Sequence, residues 1–524
     1  MMEINEIVSY FPLSTPRPCQ ILALEKFVET TNKERKFTIL EMPTGSGKSA
    51  ISMTLAQWSH SAYILTIQKI LQIQMMRDFE SNGLIEMKGG SNYKCGKYPV
   101  HCDQGAKLAK AMNNGSCDCI CPYKTAKEQF LHSPFGITNF SYFLTMMTYQ
   151  EGLLPNRKLL IIDEAHNTEA ALINHSNIEV TRADLGELQI SFPNPPLGPF
   201  ELDRTKEWLT KVVFPACSDR RKGLRMAIED ARRDPRGEKR MITLLQEESS
   251  LDSFQSKLSM FFDSESKMWF VGHSDKIEIK PLRGDLFAND LLFKKADHVI
   301  FLSATILDPR TFVRNLGISP KQCGYLGVPS EFPKENRRII FTPAGSMSFK
   351  NYDATLPKLL NKIERILAKH SNEKGIIHCQ SFKTVKNVMS HFKGTPFERR
   401  LLSHDSTSRS KNYAIDAHMT KSEPTVLLSP SMTEGLDLRD DLSRFQVVCK
   451  APFGSLASPY IKTRMALDPD WYMWCACLDL VQGTGRSIRS KDDYAVTYLI
   501  DSDINRLLSS GVLPDWWTDA VEFR

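Results

Sequence analysis

Ten consecutive residues, Glu41-Met42-Pro43-Thr44-Gly45-Ser46-Gly47-Lys48-Ser49-Ala50, limit what this chain can fold into more than any other stretch. Phe37-Thr38-Ile39-Leu40 before them reads as a short buried strand, and Ser49-Ala50-Ile51-Ser52-Met53 opens a helix after them. Strand, glycine turn and helix N-terminus make a cradle in which backbone N–H groups and the helix dipole face an anion. In such a cradle Lys48 reaches the β- and γ-phosphates of ATP and the Ser49 hydroxyl holds Mg²⁺. The strict phosphate-loop pattern has Gly where Met42 stands.

A second element completes the chemistry. Leu159-Leu160-Ile161-Ile162 is continuously apolar, as a strand buried on both faces must be, and it delivers Asp163-Glu164-Ala165-His166 at its C-terminal end. Asp163 then meets the water shell of the nucleotide-bound Mg²⁺ and Glu164 polarises the attacking water. Upstream, Arg17 and Gln20 read either as a grip on the adenine or as a surface turn before an amphipathic helix. Tyr63-Ile64-Leu65-Thr66 is a further strand, followed by a helix over 68–79 carrying Gln72 and Gln74. Either it presents donors to a phosphodiester backbone, or it is a plain βα unit.

His298 to Leu302 is another buried strand and ends in Ser303-Ala304-Thr305, hydroxyl residues able to relay the nucleotide state to the acidic box. Beyond it, strands at 375–379, 425–429 and 445–448, separated by helical lengths, predict a second parallel sheet. Thr433-Glu434-Gly435-Leu436-Asp437 follows the second of these. In Gln482-Gly483-Thr484-Gly485-Arg486-Ser487-Ile488-Arg489 the two arginines lie on one helical face. Arg486 and Arg489 so placed reach a γ-phosphate across an interdomain cleft.

Between these motifs the βα rhythm breaks twice. Five of the 12 cysteines, Cys95, Cys102, Cys117, Cys119 and Cys121, crowd one glycine- and lysine-rich segment, where thiolates hold a structural zinc or an iron–sulfur cluster. No paired C-x2-C knuckle occurs, and the irregular gaps closing on Cys121-Pro122 lean toward iron–sulfur. Cys95, Cys102, Cys117 and Cys121 are the favoured ligands, with Cys119 the substitute for Cys117. The second break, 173–275, holds a dense basic run from Arg220 to Arg240 and a helix with leucines at 244, 251 and 258. That run is read equally as a solvated face or as a nucleic-acid-facing one. Trp269-Phe270-Val271 and Ile277-Glu278-Ile279 form a hairpin that closes the segment. A net charge of +6 permits a polyanion partner. No signal-peptide pattern opens the chain and no apolar run is long enough to cross a bilayer, so a reducing compartment is expected.

In order, these motifs resemble the iron–sulfur helicases of superfamily two, the XPD/DinG group. The resemblance is carried by the phosphate loop at 42–49, Asn92-Tyr93-Lys94-Cys95, Cys121-Pro122-Tyr123, Thr138-Asn139-Phe140, the acidic box at 163–166, Ser303-Ala304-Thr305, Glu434-Gly435-Leu436-Asp437 and Gln482 to Arg489. It implies an α/β chain with two RecA-like parallel-sheet motor domains, a cysteine-rich cluster domain and a helical arch-like domain inserted in the first motor. The implied boundaries are 1–82, 131–172 and 276–325 for motor 1, 83–130 for the cluster domain, 173–275 for the arch and 326–524 for motor 2. It further implies an ATP-dependent DNA helicase moving 5′ to 3′ on single-stranded DNA and at single-strand/duplex junctions, as a monomer. The rivals are a nucleic-acid-binding scaffold or translocase without strand separation, and an RNA-directed motor. ATP, Mg²⁺ and a 4Fe-4S cluster are the implied cofactors, with Met42 to Ser49, Arg17, Gln20, Glu434, Gly435 and Asp437 around the nucleotide. Lys48, Asp163, Glu164, Gln482, Arg486 and Arg489 would carry catalysis, and Ser49 and Asp163 would meet Mg²⁺. Cytoplasmic, nucleoid-associated residence is expected in a prokaryotic or phage setting, and nuclear residence in a eukaryotic one.

Overall fold

Continuously apolar segments become the central strands of two parallel sheets, because only strands covered on both faces can bury every side chain. The computed structural model describes residues 2–524 apart from 68, 113–120, 194–200, 235–236, 265–267, 331, 432–437, 439, 486 and 489–492. The chain begins with β1 (Phe37–Glu41), β2 (Ala62–Thr66), β3 (Ile85–Glu86), β4 (Phe135–Asn139) and β5 (Arg157–Asp163). An excursion then contributes β6 (Ile178–Thr181), β7 (Trp269–His273) and β8 (Lys276–Pro281), before β9 (Ala296–Ser303) and β10 (Cys323–Gly327) return to the first sheet. Its order is β10-β1-β9-β5-β2-β4-β3, parallel throughout.

The second sheet takes β11 (Ile339–Gly345), β12 (Gly375–His378), β13 (Leu401–Leu402), β14 (Val426–Ser429), β15 (Phe445–Val448), β16 (Val496–Asp501) and β17 (Val521–Phe523). These run parallel in the order β13-β14-β12-β15-β16-β11-β17. The expected pair of parallel-sheet α/β units is therefore present. Alternate residues of the first sheet feed two cores: Ile39, Tyr63, Leu65, Leu160 and Ile162 on one face, Leu40, Ile64, Ile161, Ile300 and Leu302 on the other. Into the first of these cores the second unit sends Trp471, Trp474 and Leu478 from its helix Pro469–Thr484, so the two units share apolar packing.

The excursion between β5 and β9 holds the antiparallel sheet β6-β8-β7, with β7 and β8 forming the expected hairpin, and the paired helices Phe214–Arg233 and Glu238–Asp263. Arg220 and Arg221 of the basic run pair with Glu247 and Asp252 of the opposite helix, and Arg225 lies 3.3 Å from Glu248. Those three cations are neutralised across the helix pair, while Arg233, Lys239 and Arg240 are exposed, so both readings of the run stand. Among the described residues, no helix is long and apolar enough to cross a membrane.

Candidate nucleotide site and interdomain cleft

β1 delivers the glycine loop to the start of helix Lys48–Ser59, and the loop closes only because two glycines take left-handed backbone. Gly45 has φ 80° and Gly47 φ 82°. At Gly47 a Cβ would also collide with the Gln20 amide nitrogen. That contact is functional packing: Gln20 Nε2 donates to Ser46 O at 3.0 Å, its Oε1 accepts from Arg17 N at 2.8 Å, and Arg17 Nη1 donates to Gly45 O at 2.8 Å. Arg17 and Gln20, at the start of helix Pro18–Asn32, thus hold the loop by its carbonyl oxygens, the side of the peptide that an anion does not need. Lys48 Nζ lies over Met42 O at 3.2 Å and Pro43 O at 3.5 Å, folded onto the loop whose phosphate it is expected to meet.

Ser46 Oγ and Asp163 Oδ1 are buried with no hydrogen-bond partner. Burial, reinforced by the adjacent Glu164 carboxylate and opposed by Lys48, pushes Asp163 up to about 7. A carboxylate so short of compensation at the end of β5, facing a phosphate cradle, fits a divalent cation, and Ser49 on the first helical turn supplies a neutral oxygen.

Glu164 sits at φ 51°, a left-handed backbone rare outside glycine, and brings its carboxylate 3.5 Å from His166 Nδ1. His166 is the hub of the cleft. Ser303 Oγ donates to Thr305 O and accepts from Thr305 N, both at 3.1 Å, so it also accepts from His166 Nδ1 at 2.9 Å. The proton is thereby assigned to Nδ1 by the network, and Nε2 faces the amides of Gln482 at 2.7 Å and Asn167 at 2.6 Å. Gln482 also donates to Thr305 Oγ1 at 2.7 Å. The acidic box, the Ser-Ala-Thr turn and the glutamine of the second unit therefore join in one line.

Arg486, Arg489, Glu434, Gly435, Asp437, Cys117 and Cys119 lie outside the described residues. Thr66 is fully buried and Gln72 donates from the core to Met87 O at 2.9 Å, while Gln74 is exposed on the helix Lys69–Phe79. Cys102 Sγ and Cys121 Sγ lie 3.8 Å apart, and the absence of a Cβ at Gly105 gives Cys95 Sγ its room. Burial pushes the Cys102 thiol up, with Cys121 and Cys95 adding to it, so the three sulfurs share one neighbourhood. Among the described residues no three His, Cys, Asp or Glu form a ready metal site. The soft donors fit an iron–sulfur group that takes a further thiolate from elsewhere.

Several residues that wire the cleft carried no local signal. Arg464 of helix Pro459–Leu467 is completely buried and donates to Glu169 Oε1 at 2.6 Å and Asn315 Oδ1 at 3.2 Å. Its guanidinium lies 4.3 Å from the Trp471 ring centroid. Trp474 Nε1 donates to Ile306 O at 2.7 Å. Glu41, in the loop's own stretch but given no role from sequence, accepts from Ile306 N and Leu307 N. Separately, a groove of about 740 Å³ lies where the 102–112 helix, the 238–263 helix and β6 meet, lined by Lys107, Asn177, Gln246, Ser250, Phe254 and Lys257.

With this geometry, likeness to known proteins becomes specific. The helicase C-terminal domain family matches residues 363–520, and the family described as the type III restriction enzyme res subunit matches 13–185. A solved XPD helicase superposes with a TM-score of 0.68 at 15% identity, covering 98% of this chain and 100% of that one. The chain has the XPD helicase fold. Xpd4 of S. tokodaii superposes with a TM-score of 0.59 at 14% identity, over 97% of this chain and 100% of that one. In sequence the chain is similar to ATP-dependent DNA helicase YoaA of Escherichia coli (strain K12), 26% identical over 230 residues, 42% of this chain and 35% of the relative. YoaA of Haemophilus influenzae is 23% identical over 445 residues, 74% and 66% of the two chains. DinG of Photobacterium profundum is 25% identical over 255 residues, 45% and 36%. The matched regions thus span between about a third and two thirds of these relatives' own lengths.

Proposed function

We propose that this chain is an ATP-dependent DNA helicase that moves 5′ to 3′ along a single strand. The observation that carries this reading is the line from His166 through Ser303 and Thr305 to Gln482, which ties the acidic box to the second unit. ATP with Mg²⁺ occupies the cradle, held by the loop N–H groups, Lys48, Ser49 and Asp163, with Arg17 and Gln20 bracing the loop from behind. Glu164 orients the attacking water, and Arg486 and Arg489 close on the γ-phosphate from the second unit. Loss of that phosphate weakens the grip of the second unit on the first, and the cleft opens. Alternating closure becomes movement when each unit holds the strand's phosphates in turn, a grip that is sequence-independent and salt-sensitive.

The groove beside the cysteine segment is the proposed passage for the strand: Lys107 suits a phosphate and Phe254 offers a face for a base, while Lys257, which donates to Asn177 O at 2.9 Å, and Glu179 complete the wall. Cys95, Cys102 and Cys121, with Cys117 or Cys119, would hold a 4Fe-4S cluster that cross-links this segment into a rigid wedge at the junction.

Strand displacement on duplexes carrying a 5′ or a 3′ single-stranded tail, with and without ATP, tests the reading. Unwinding of the 5′-tailed substrate alone is expected, and Lys48→Ala should abolish it while single-strand binding survives. ATP turnover indifferent to DNA, or stimulated by RNA and not DNA, would overturn it.

A further inference from the structure

We propose that Glu41 is a positioning residue of the motor: it fixes the turn after β9 to the end of the phosphate-loop strand, so that the second unit docks in register with bound nucleotide. Glu41 ends β1 immediately before the loop and is paired in register with Ser303, the last residue of β9. Only 6% of it is exposed, a position where a carboxyl group persists only if its oxygens are bonded. They are. Oε1 accepts from Ile306 N at 3.0 Å and Leu307 N at 3.1 Å, and Oε2 accepts from the Tyr325 hydroxyl at 2.7 Å.

The held turn is strained, since Leu307 has φ 63°, a left-handed backbone that a leucine rarely takes. It is also the turn on which the second unit lands. Ile306 presents its N–H to Glu41 and its carbonyl to Trp474 Nε1, and one residue earlier Thr305 Oγ1 receives Gln482. A single residue is thus gripped from the phosphate-loop side by a carboxylate and from the far side of the cleft by an indole. A shift of β1 when phosphate binds is passed to the landing turn through Glu41 and not through flexible packing. An apolar residue at 41 would fill the space but leave the buried Ile306 N–H and the part-buried Leu307 N–H without their acceptor, and the turn held only through the Ile306 carbonyl.

The inference rests on the ATPase reading above, and the experiment separates the two. In the full chain, Glu41→Ala, Glu41→Gln, Trp474→Phe and Glu41→Ala/Trp474→Phe are compared for ATP kcat and KM with and without saturating single-stranded DNA. Amide hydrogen exchange is followed across 303–308 in the same proteins. Glu41→Ala should lower the DNA-stimulated kcat about tenfold while KM stays within about threefold. Glu41→Gln should keep kcat within about threefold, because its amide oxygen still accepts both peptide N–H groups. The double variant should be no worse than Glu41→Ala alone, since both act through one turn. Exchange at Ile306 and Leu307 should rise in Glu41→Ala and not in Glu41→Gln. Unchanged exchange, a kcat loss under about threefold, or additive losses in the double variant would overturn the proposal. A wild-type chain without ATP turnover would sink the functional reading, and the exchange result would still decide whether Glu41 holds the turn.

Discussion

Replacing Arg464 by methionine should loosen the two α/β units from each other. Arg464 is fully buried, yet of its donors only Nη2 is used, on Glu169 and Asn315, while Nε and Nη1 have no partner. Two orphaned donors cost roughly 1–3 kcal/mol each, so the ion pair is a poor source of net stability as it stands. Its removal from one side only is nevertheless severe. In Arg464→Met the Glu169 carboxylate keeps only neutral donors, Gly284 N at 3.2 Å and the Trp471 side chain, in a site whose burial already raises its pKa. The expected destabilisation is about 3–5 kcal/mol, the usual consequence of an uncompensated buried charge. Removing both charges, in Glu169→Leu/Arg464→Met, should restore stability to within about 1 kcal/mol of the parent or exceed it. Urea unfolding followed by tryptophan emission is the assay, because Trp471 stacks on the guanidinium and reports the contact directly. A chain of several cores need not unfold in one step, so the first transition is the one to compare. A loss under about 1 kcal/mol in Arg464→Met, or a double variant as unstable as the sum of its singles, would refute the reasoning.

Gly47→Ala places a Cβ on a residue at φ 82° and against the Gln20 amide, so ATP affinity should fall at least about tenfold with the fold intact; nucleotide titration by fluorescence checks it. Burial, with help from Lys36 and Lys257 respectively, lowers His298 and His175 from the usual 6.5 to about 4. Between those values the unfolded chain binds protons that the folded chain refuses. Each histidine should therefore withdraw up to about 3 kcal/mol of stability as pH falls from above 6.5 toward 4, and none above that window. Urea midpoints at stepped pH measure this, and His298→Gln should flatten part of the slope. Cys102→Ser should abolish bound iron and acid-labile sulfide in anaerobically purified protein, whereas Cys323→Ser should leave both unchanged.

How much was legible depended on where the determining physics lies along the chain. The glycine loop was readable because left-handed backbone, strand burial and helix start are local demands, met by Gly45, Gly47 and the apolar runs at 37–40 and 159–162. The same locality left Thr66 and Gln72 open, whose polarity suggests a surface role while both are buried and Gln72 donates to Met87 O. It was also ambiguous at the basic run, since the carboxylate partners of Arg220, Arg221 and Arg225 stand on a separate helix and only pairing of the two helices brings them together. The cysteine crowding was visible as composition, but the proximity of Cys102 to Cys121 follows from the path of the chain, which brings the starts of the helices Cys102–Met112 and Pro122–His132 together.

By itself, then, the amino-acid order determined the phosphate cradle, the acidic strand end, the two parallel sheets and the two segments that interrupt them. Tertiary structure alone decided how the cleft is wired. Gln482 meets His166 across 316 residues of chain and Arg464 meets Glu169 across 295, and no propensity or period near either residue encodes its partner. The physical reason is one of range. A turn or a strand answers to neighbours a few residues away, whereas a buried carboxylate such as Glu41 takes its meaning from whichever backbone N–H groups the assembled sheet places before it.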